Sequence, residues 1–251
     1  MLRLHTAGAT DVGMRLNNED AYLANQELGF IVLSDGMGGA ASGEIASSFF
    51  INTAREIFVS QNHETEDMLC SMVLEVFMQA NSRILDHVEV NPHDRGMGCT
   101  GELLAFHKDI YVIGHVGDSR IYLFRDGKLR QVTKDHSLVQ SQVDVGILSP
   151  EEARNHPRKN IILRAIGIDP ALKLDVIKGT VRDQDIFIVC SDGLTDAIED
   201  GRIREILSSG MAIDQMPRIL IQSALSAGSK DNVTVLLCKL HNSSPFVSLK
   251  T

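Results

Sequence analysis

The chain has 251 residues, enough for one large domain or two small ones with a sizeable buried core. Hydrophobic residues make up 43% and charged residues 23%, which excludes disorder as the default state. The formal net charge is −9. That argues against nucleic acid as a partner, because affinity there comes mainly from Lys and Arg neutralising phosphates. An acid excess serves either solubility or cation binding, and the positions of the acids must decide. No apolar run approaches the roughly 20 residues of a membrane helix, so no membrane association is expected. The segment Met1–Thr6 lacks the apolar core of a signal peptide and points to the cytoplasm. Cys70, Cys99, Cys190 and Cys238 form no C-x-x-C pair, which weakens zinc and redox readings. Cys190 and Cys238 lie in apolar runs and read as buried thiols.

Residues 1–34 read as extended segments with turns. Ser42 then opens a helical pattern, with Ile45, Ala46, Phe49, Phe50, Ala54, Ile57 and Phe58 on one face. Ser42 suits an N-cap, and Glu44 lies in the first turn. A second helix starts near Thr65, its apolar face running from Met68 and Leu69 to Ile84 and Leu85. Strands fill Leu103 to Val132, and Asp126-Gly127 joins two of them in a tight hairpin turn. Residues 137–166 are more polar, with short helical pieces and Pro150 and Pro157, and read as an inserted subdomain or flap. Strands return at about 173–190. Helices follow near 200–208 and 214–227, the latter ending at Gly228. A last strand, Val233 to Leu240, precedes a polar tail at 241–251. Grouped strands and paired helices depart from β-α-β alternation and predict an α+β layered domain with largely antiparallel sheets.

Two segments echo each other. Phe30-Ile31-Val32-Leu33-Ser34-Asp35-Gly36 and Phe187-Ile188-Val189-Cys190-Ser191-Asp192-Gly193 differ only at Leu33 and Cys190. Each apolar run predicts a buried central strand. A carboxylate at such an end is costly to desolvate unless a cation meets it. The plain alternative, an Asp-Gly turn, suits Asp126-Gly127 between its hairpin strands. It suits 35 and 192 less, because helices follow. Two carboxylates brought together need a counter-ion. Oxygen ligands without His or Cys favour Mg²⁺ or Mn²⁺ over Zn²⁺. The nine histidines form no H-x-x-x-H pair and read mostly as surface or packing residues. Gly36-Met37-Gly38-Gly39-Ala40-Ala41 superficially matches a dinucleotide fingerprint. A second helix follows it instead of a second strand ending in an acid, and Asp35 would repel a pyrophosphate.

Further polar clusters complete the pattern. In order they are Arg15–Asp20 (R-x-x-N-E-D), Asp35–Gly39 (D-G-M-G-G), Gly98–Thr100 (G-x-T), Gly117–Arg120 (G-D-S-R), Thr133–Ser137 (T-x-D-H-S), Ser191–Gly193 (S-D-G) and Asp231–Thr234 (D-N-x-T). Together, over about residues 4–240, they resemble the metal-dependent type 2C-like (PPM) protein Ser/Thr phosphatases in their compact bacterial form. The resemblance implies a four-layer αββα sandwich, two antiparallel sheets flanked by pairs of helices, as one catalytic domain over 1–240. It implies two Mn²⁺ or Mg²⁺ ions and a third, weaker one. Asp35 would bridge two metals, with the Gly36 carbonyl as a further ligand. Asp192 and Asp231 would complete the first metal's protein ligands. Glu19 and Asp20 would hold metal-bound waters. Asp118, with Asp192, matches the third-metal position. Arg15 matches the residue that grips the substrate phosphate, and Thr100 a position near the metal waters.

The implied reaction is hydrolysis of phosphoserine and phosphothreonine by direct attack of a metal-bridging hydroxide. Arg15 would donate two hydrogen bonds to the phosphate. Phosphorylated proteins are the implied partners, among them a Ser/Thr kinase and its targets. Size and the lack of an interaction helix point to a monomer. Met37 stands where some eukaryotic relatives carry a histidine proposed as general acid, so that role has no assigned residue. One residue separates Gly13 from Arg15, where many bacterial relatives have two. A phosphodiester substrate at the same site, or a binding module without turnover, are the competing readings. The single phosphate arginine disfavours the first for nucleic acid. The complete acid set disfavours the second.

Overall fold

A computed structural model describes residues 2–38, 42–62 and 64–242. Gly39 of the D-G-M-G-G motif and positions 243–251 of the tail lie outside the described residues. Strands β1 (Leu2–Asp11), β2 (Asp20–Asn25) and β3 (Phe30–Met37) precede helices α1 (Gly43–Ser60) and α2 (Glu66–Val90). Then come β4 (Gly98–Cys99), β5 (Gly101–His107), β6 (Ile110–Val116), β7 (Arg120–Arg125) and β8 (Lys128–Gln131). Segment 137–166 carries the short helices α3 (Leu138–Asp144) and α4 (Pro150–Arg154). β9 (Asp175–Thr180), β10 (Ile186–Cys190), α5 (Asp192–Thr195), α6 (Asp200–Leu207), α7 (Met216–Ser226) and β11 (Val233–Asn242) complete the order.

The strands form two antiparallel sheets. One runs β1-β11-β10-β7-β8 and the other β2-β3-β5-β6-β9, with β4 paired to β3. Three layers of apolar side chains separate four layers of backbone. Phe30 and Val32 of β3 pack with Phe50, Phe58 and Phe77 of α1 and α2. Ile31 and Leu33 turn the other way and meet Phe187 and Val189 of β10 between the sheets. Ile188 and Cys190 face Leu194 of α5, Ile203 of α6 and Leu220 of α7. This is the αββα sandwich that the resemblance implies. It explains why β3 and β10 lack the apolar/polar alternation of ordinary antiparallel strands: both faces of each are covered. β3 lies between antiparallel neighbours β2 and β5, which excludes the dinucleotide-binding unit.

Local sequence accounts for the boundaries. Thr65 caps α2 by accepting from the Met68 N–H at 3.2 Å. Ser42 occupies the N-cap position of α1 but forms no cap. Its hydroxyl instead donates to Asp94 Oδ1 at 2.8 Å, a partner 52 residues away. The Asp126-Gly127 turn has positive φ at both residues, 51° and 71°, which matches the twist of the β7–β8 hairpin. Cys190 and Cys238 are buried, as their apolar runs predict. Among the described residues no helix is long and apolar enough to cross a membrane.

Candidate metal centre

Asp35 lies near the end of β3, and Asp20 stands opposite it in register on β2. Asp192 opens α5 directly after β10. The two sheets thus deliver the echoing aspartates to one edge. Ser191 joins them there, donating to Asp20 Oδ2 across the sandwich at 2.7 Å. Asp118 enters from the β6–β7 turn, and Asp231 from the turn before β11.

Burial and mutual repulsion act together on these acids. Burial raises the Asp35 carboxyl well above its ordinary range, and the charges of Asp20, Asp192, Asp118 and Asp231 raise it further. Burial likewise raises Asp192, reinforced by Asp118, Asp196, Asp231 and Asp20. Asp118 is pushed up to about 7 by burial and then by Asp135. Asp20 is pushed up to about 6 by burial, against hydrogen bonds from Thr234 and Ser191. Glu19 is raised by burial and by Glu44. Among the described residues, Asp20 Oδ1 and Asp192 Oδ1 are buried without a hydrogen-bond partner. Orphaned anionic oxygens among mutually repelling carboxylates are what a bound cation satisfies. Oxygen-only donors suit a hard divalent ion. Yet among the described residues no three acid, His or Cys side chains converge into a complete shell. The cluster is open, so a cation held here would need a backbone carbonyl and waters as further ligands. Gly36 can offer that carbonyl. Its Cα is pressed so closely against Gly43 that an added Cβ would lie 2.1 Å from the Gly43 oxygen.

The motifs hold one another in place. Asn232 donates to the carbonyls of Val12 and Asn17 and accepts from the Glu19 N–H at 2.8 Å. One side chain therefore shapes the whole Arg15–Asp20 loop. Gly13 has φ +60°, and a Cβ there would lie 2.1 Å from the Asp231 oxygen, so the shortened turn before Arg15 packs on Asp231. The Arg15 guanidinium pairs with Asp231 Oδ2 at 2.7 Å and is 56% exposed. Thr100 stands behind Asp35. Its hydroxyl accepts from the Asp35 N–H at 2.9 Å and bonds Ser119 Oγ at 2.9 Å. Met37 closes β3 opposite Gly98. Beside the cluster a cavity of about 400 Å³ runs beneath α3 and α4, lined in part by Asp118, Asp192, Arg154 and Lys159.

Several contributors escaped sequence reasoning. Ser191 and Thr234 were motif letters without roles. Glu44 was only a first-turn acid, but its Oε2 is buried and without a partner among the described residues. His115 is buried and hydrogen-bonded to Glu102, and buried His136 stacks on it, whereas the histidines read mostly as surface or packing residues. The signal present was their placement inside the Gly114–Arg120 and Thr133–Ser137 clusters.

A sequence profile described as protein phosphatase 2C matches residues 7–225. The serine/threonine protein phosphatase PstP of Mycobacterium tuberculosis is 39% identical over 240 residues, which is 94% of this chain and 45% of PstP. The chain thus spans about half the length of that relative. The serine/threonine phosphatase stp of Listeria monocytogenes is 34% identical over 243 residues, covering 93% of this chain and 95% of the relative. The crystal structure of M. tuberculosis PstP/Ppp superposes with a TM-score of 0.89 at 37% identity, covering 96% of this chain and 100% of that one. The catalytic domain of PstP in complex with two manganese ions superposes with a TM-score of 0.88 at 34% identity, with the same coverage. With the motifs in order along the chain and the same sandwich around them, the chain belongs to the protein phosphatase 2C (PPM) family of metal-dependent serine/threonine phosphatases.

Proposed function

We propose that the protein removes phosphate from phosphoserine and phosphothreonine in phosphoproteins, using two divalent cations, Mn²⁺ or Mg²⁺, at the Asp35–Asp192 edge. The observation that carries this is the pair of orphaned buried oxygens, on Asp20 and Asp192, within a cluster of mutually repelling aspartates. Asp35 would hold both cations, with the Gly36 carbonyl as a further ligand. Asp192 and Asp231 serve the first. Glu19 and Asp20 hold waters around them. Asp118 and Asp192 take a third, weaker cation. Thr100 keeps Asp35 oriented through its backbone N–H. When bound, the cations supply Lewis acidity, lowering the pKa of a water and offsetting phosphate charge.

The chain's own groups do the rest. Arg15 lies at the exposed rim and presents paired N–H donors to phosphate oxygens. Covalent catalysis finds no support in the side chains nearby. Ser34 Oγ is committed to the Thr100 carbonyl at 2.6 Å and Ser191 Oγ to Asp20 at 2.7 Å. Burial pushes the Cys99 thiol up to about 12 and raises Cys190 further, so neither forms a thiolate near neutrality. Residues 1–240 act as one catalytic domain, in which segment 137–166 is a flap that shapes access. The partners are a Ser/Thr kinase and its targets, the protein works as a cytoplasmic monomer, and neither nucleic acid nor membrane is a partner.

Turnover tests the substrate class. A phosphothreonine peptide is hydrolysed with a saturable dependence on added Mn²⁺, and a dinucleotide phosphodiester is not. Arg15→Ala lowers kcat/KM on the peptide by about 100-fold, the scale of a lost phosphate clamp. Comparable turnover of the dinucleotide, or an Arg15→Ala effect within about twofold, overturns the proposal.

A further inference from the structure

Two buried histidines stack behind the acidic cluster, with ring centroids 4.5 Å apart. Their hydrogen-bond partners differ. His115 Nδ1 meets Glu102 Oε1 at 2.6 Å, and its Nε2 meets the Lys134 carbonyl at 2.8 Å. The Lys134 carbonyl can only accept, so Nε2 carries a proton, and a further proton is shared between Nδ1 and Glu102, whose charge and hydrogen bond draw it to the ring. His136 differs. The Gly117 N–H donates to its Nδ1 at 3.1 Å, which requires a lone pair there. The ring proton then belongs on Nε2, which faces Asp175 Oδ2 at 3.2 Å. Arg164 Nη1 lies 3.0 Å from that same nitrogen and, with Nε2 protonated, faces it as a second donor, so Asp175 is the acceptor both share, taking Arg164 on Oδ1 at 2.9 Å. A second proton on His136 would oppose the Gly117 N–H. Burial and the positive charges of His115 and Arg164 oppose it too, and Asp175 only partly offsets them.

His136 also donates its own N–H to the Gly117 carbonyl at 2.7 Å. One residue therefore holds both backbone polar groups of Gly117. On its far side Gly117 is pressed against Thr100, where an added Cβ would lie 2.6 Å from the threonine Cβ. Thr100 in turn binds Ser119 and the Asp35 N–H. Asp118 is the residue between Gly117 and Ser119. In the other direction the His136 carbonyl accepts from the Leu163 N–H at 2.7 Å, and Ser137 pairs with Ile162.

We propose that His136 is a positioning residue for Asp118: its neutral ring clamps Gly117 and couples segment 137–166 to the acidic cluster. This rests on the function proposed above.

Two variants separate the ends of the ring. In His136→Asn the amide oxygen falls near Nδ1 and can accept from Gly117. In His136→Gln the polar group reaches towards Asp175 and leaves Gly117 unpaired. The expected result is that Asn keeps kcat and calorimetric Mn²⁺ affinity near wild type, while Gln loses about tenfold or more in both. In an Asp118→Asn background, Gln adds no further loss, because the two act as one unit. Equal effects of Asn and Gln, or full additivity with Asp118→Asn, overturn the proposal. Two measurements need only wild-type protein, so a variant that fails to fold does not block the test. ¹⁵N NMR at pH 7 reports His136 as neutral with its proton on Nε2, and Mg²⁺ titration moves the His136 ring and Gly117 amide signals together. A charged ring, the other tautomer, or signals indifferent to Mg²⁺ overturn it. Wild-type protein without phosphatase activity would sink the proposed function and leave the tautomer result standing. Active wild type with equal variants would sink only this inference.

Discussion

Glu102 and His115 are fully buried and hydrogen-bonded, and their titration sets a pH dependence of stability. Burial alone would depress His115, but the charge and hydrogen bond of Glu102 outweigh it and push the ring up to about 9 from 6.5. Burial pushes Glu102 up to about 7 from 4.5, against the pull of His115. In both cases the folded protein binds protons that the unfolded chain releases. Stability therefore falls as pH rises. The His115 contribution is fully present below its unfolded value and is lost as pH rises through its folded one. The melting temperature should decline from pH 7 to pH 9, and the decline should be shallower in Glu102→Gln, where the ring loses its charge partner. Parallel declines would contradict the assignment. These residues were hard to read because the pairing is made by sheet register: Glu102 on β5 faces His115 on β6, 13 positions along the chain. The aspartates were easier, because each falls in a short motif whose letters are contiguous. Ser191 and Asn232 show the limit, since their partners are far away in sequence.

At the scale of elements, β3 and β10 were legible because uninterrupted apolar runs need cover on both faces, and the four layers supply it. The long helices were legible from their stripes. The cap of α1 was not, since Asp94 takes the Ser42 hydroxyl from across the fold. The turn of helix at α5 is too short to show a period, and it places Asp192. Close approach of helix to sheet is the feature that glycines encode here. Phe77 of α2 packs over Gly101 and Gly114, where added Cβ atoms would lie 2.8 Å and 2.4 Å from its ring. The same ring meets Phe50 of α1 edge-on at 4.8 Å, so it has nowhere to move. Gly114→Ala should cost about 1–3 kcal/mol through overpacking, measured by urea denaturation. A neutral result would mean that α2 shifts freely.

For the whole molecule, two sheets packed face to face carry their acidic ends to one edge, and that edge repels itself unless cations bind. The layered architecture was implied by the order of motifs and by grouped strands. The sheet order was not, because β9 joins β6 and β10 joins β11 across long connections. Cation binding favours the folded state by linkage, so millimolar Mn²⁺ should raise the melting temperature and a chelator should reverse the rise. An unchanged melting temperature would count against the acidic cluster as a cation site. Asp192 is proposed to make this edge a metal-dependent phosphatase centre. The most direct test is a Mn²⁺-titrated assay on a phosphothreonine peptide, with wild type beside Asp192→Ala. Saturable, chelator-sensitive activity is expected in the wild type, with its loss in the folded variant. Wild-type activity that ignores the chelator, or a variant as active as wild type, would contradict it.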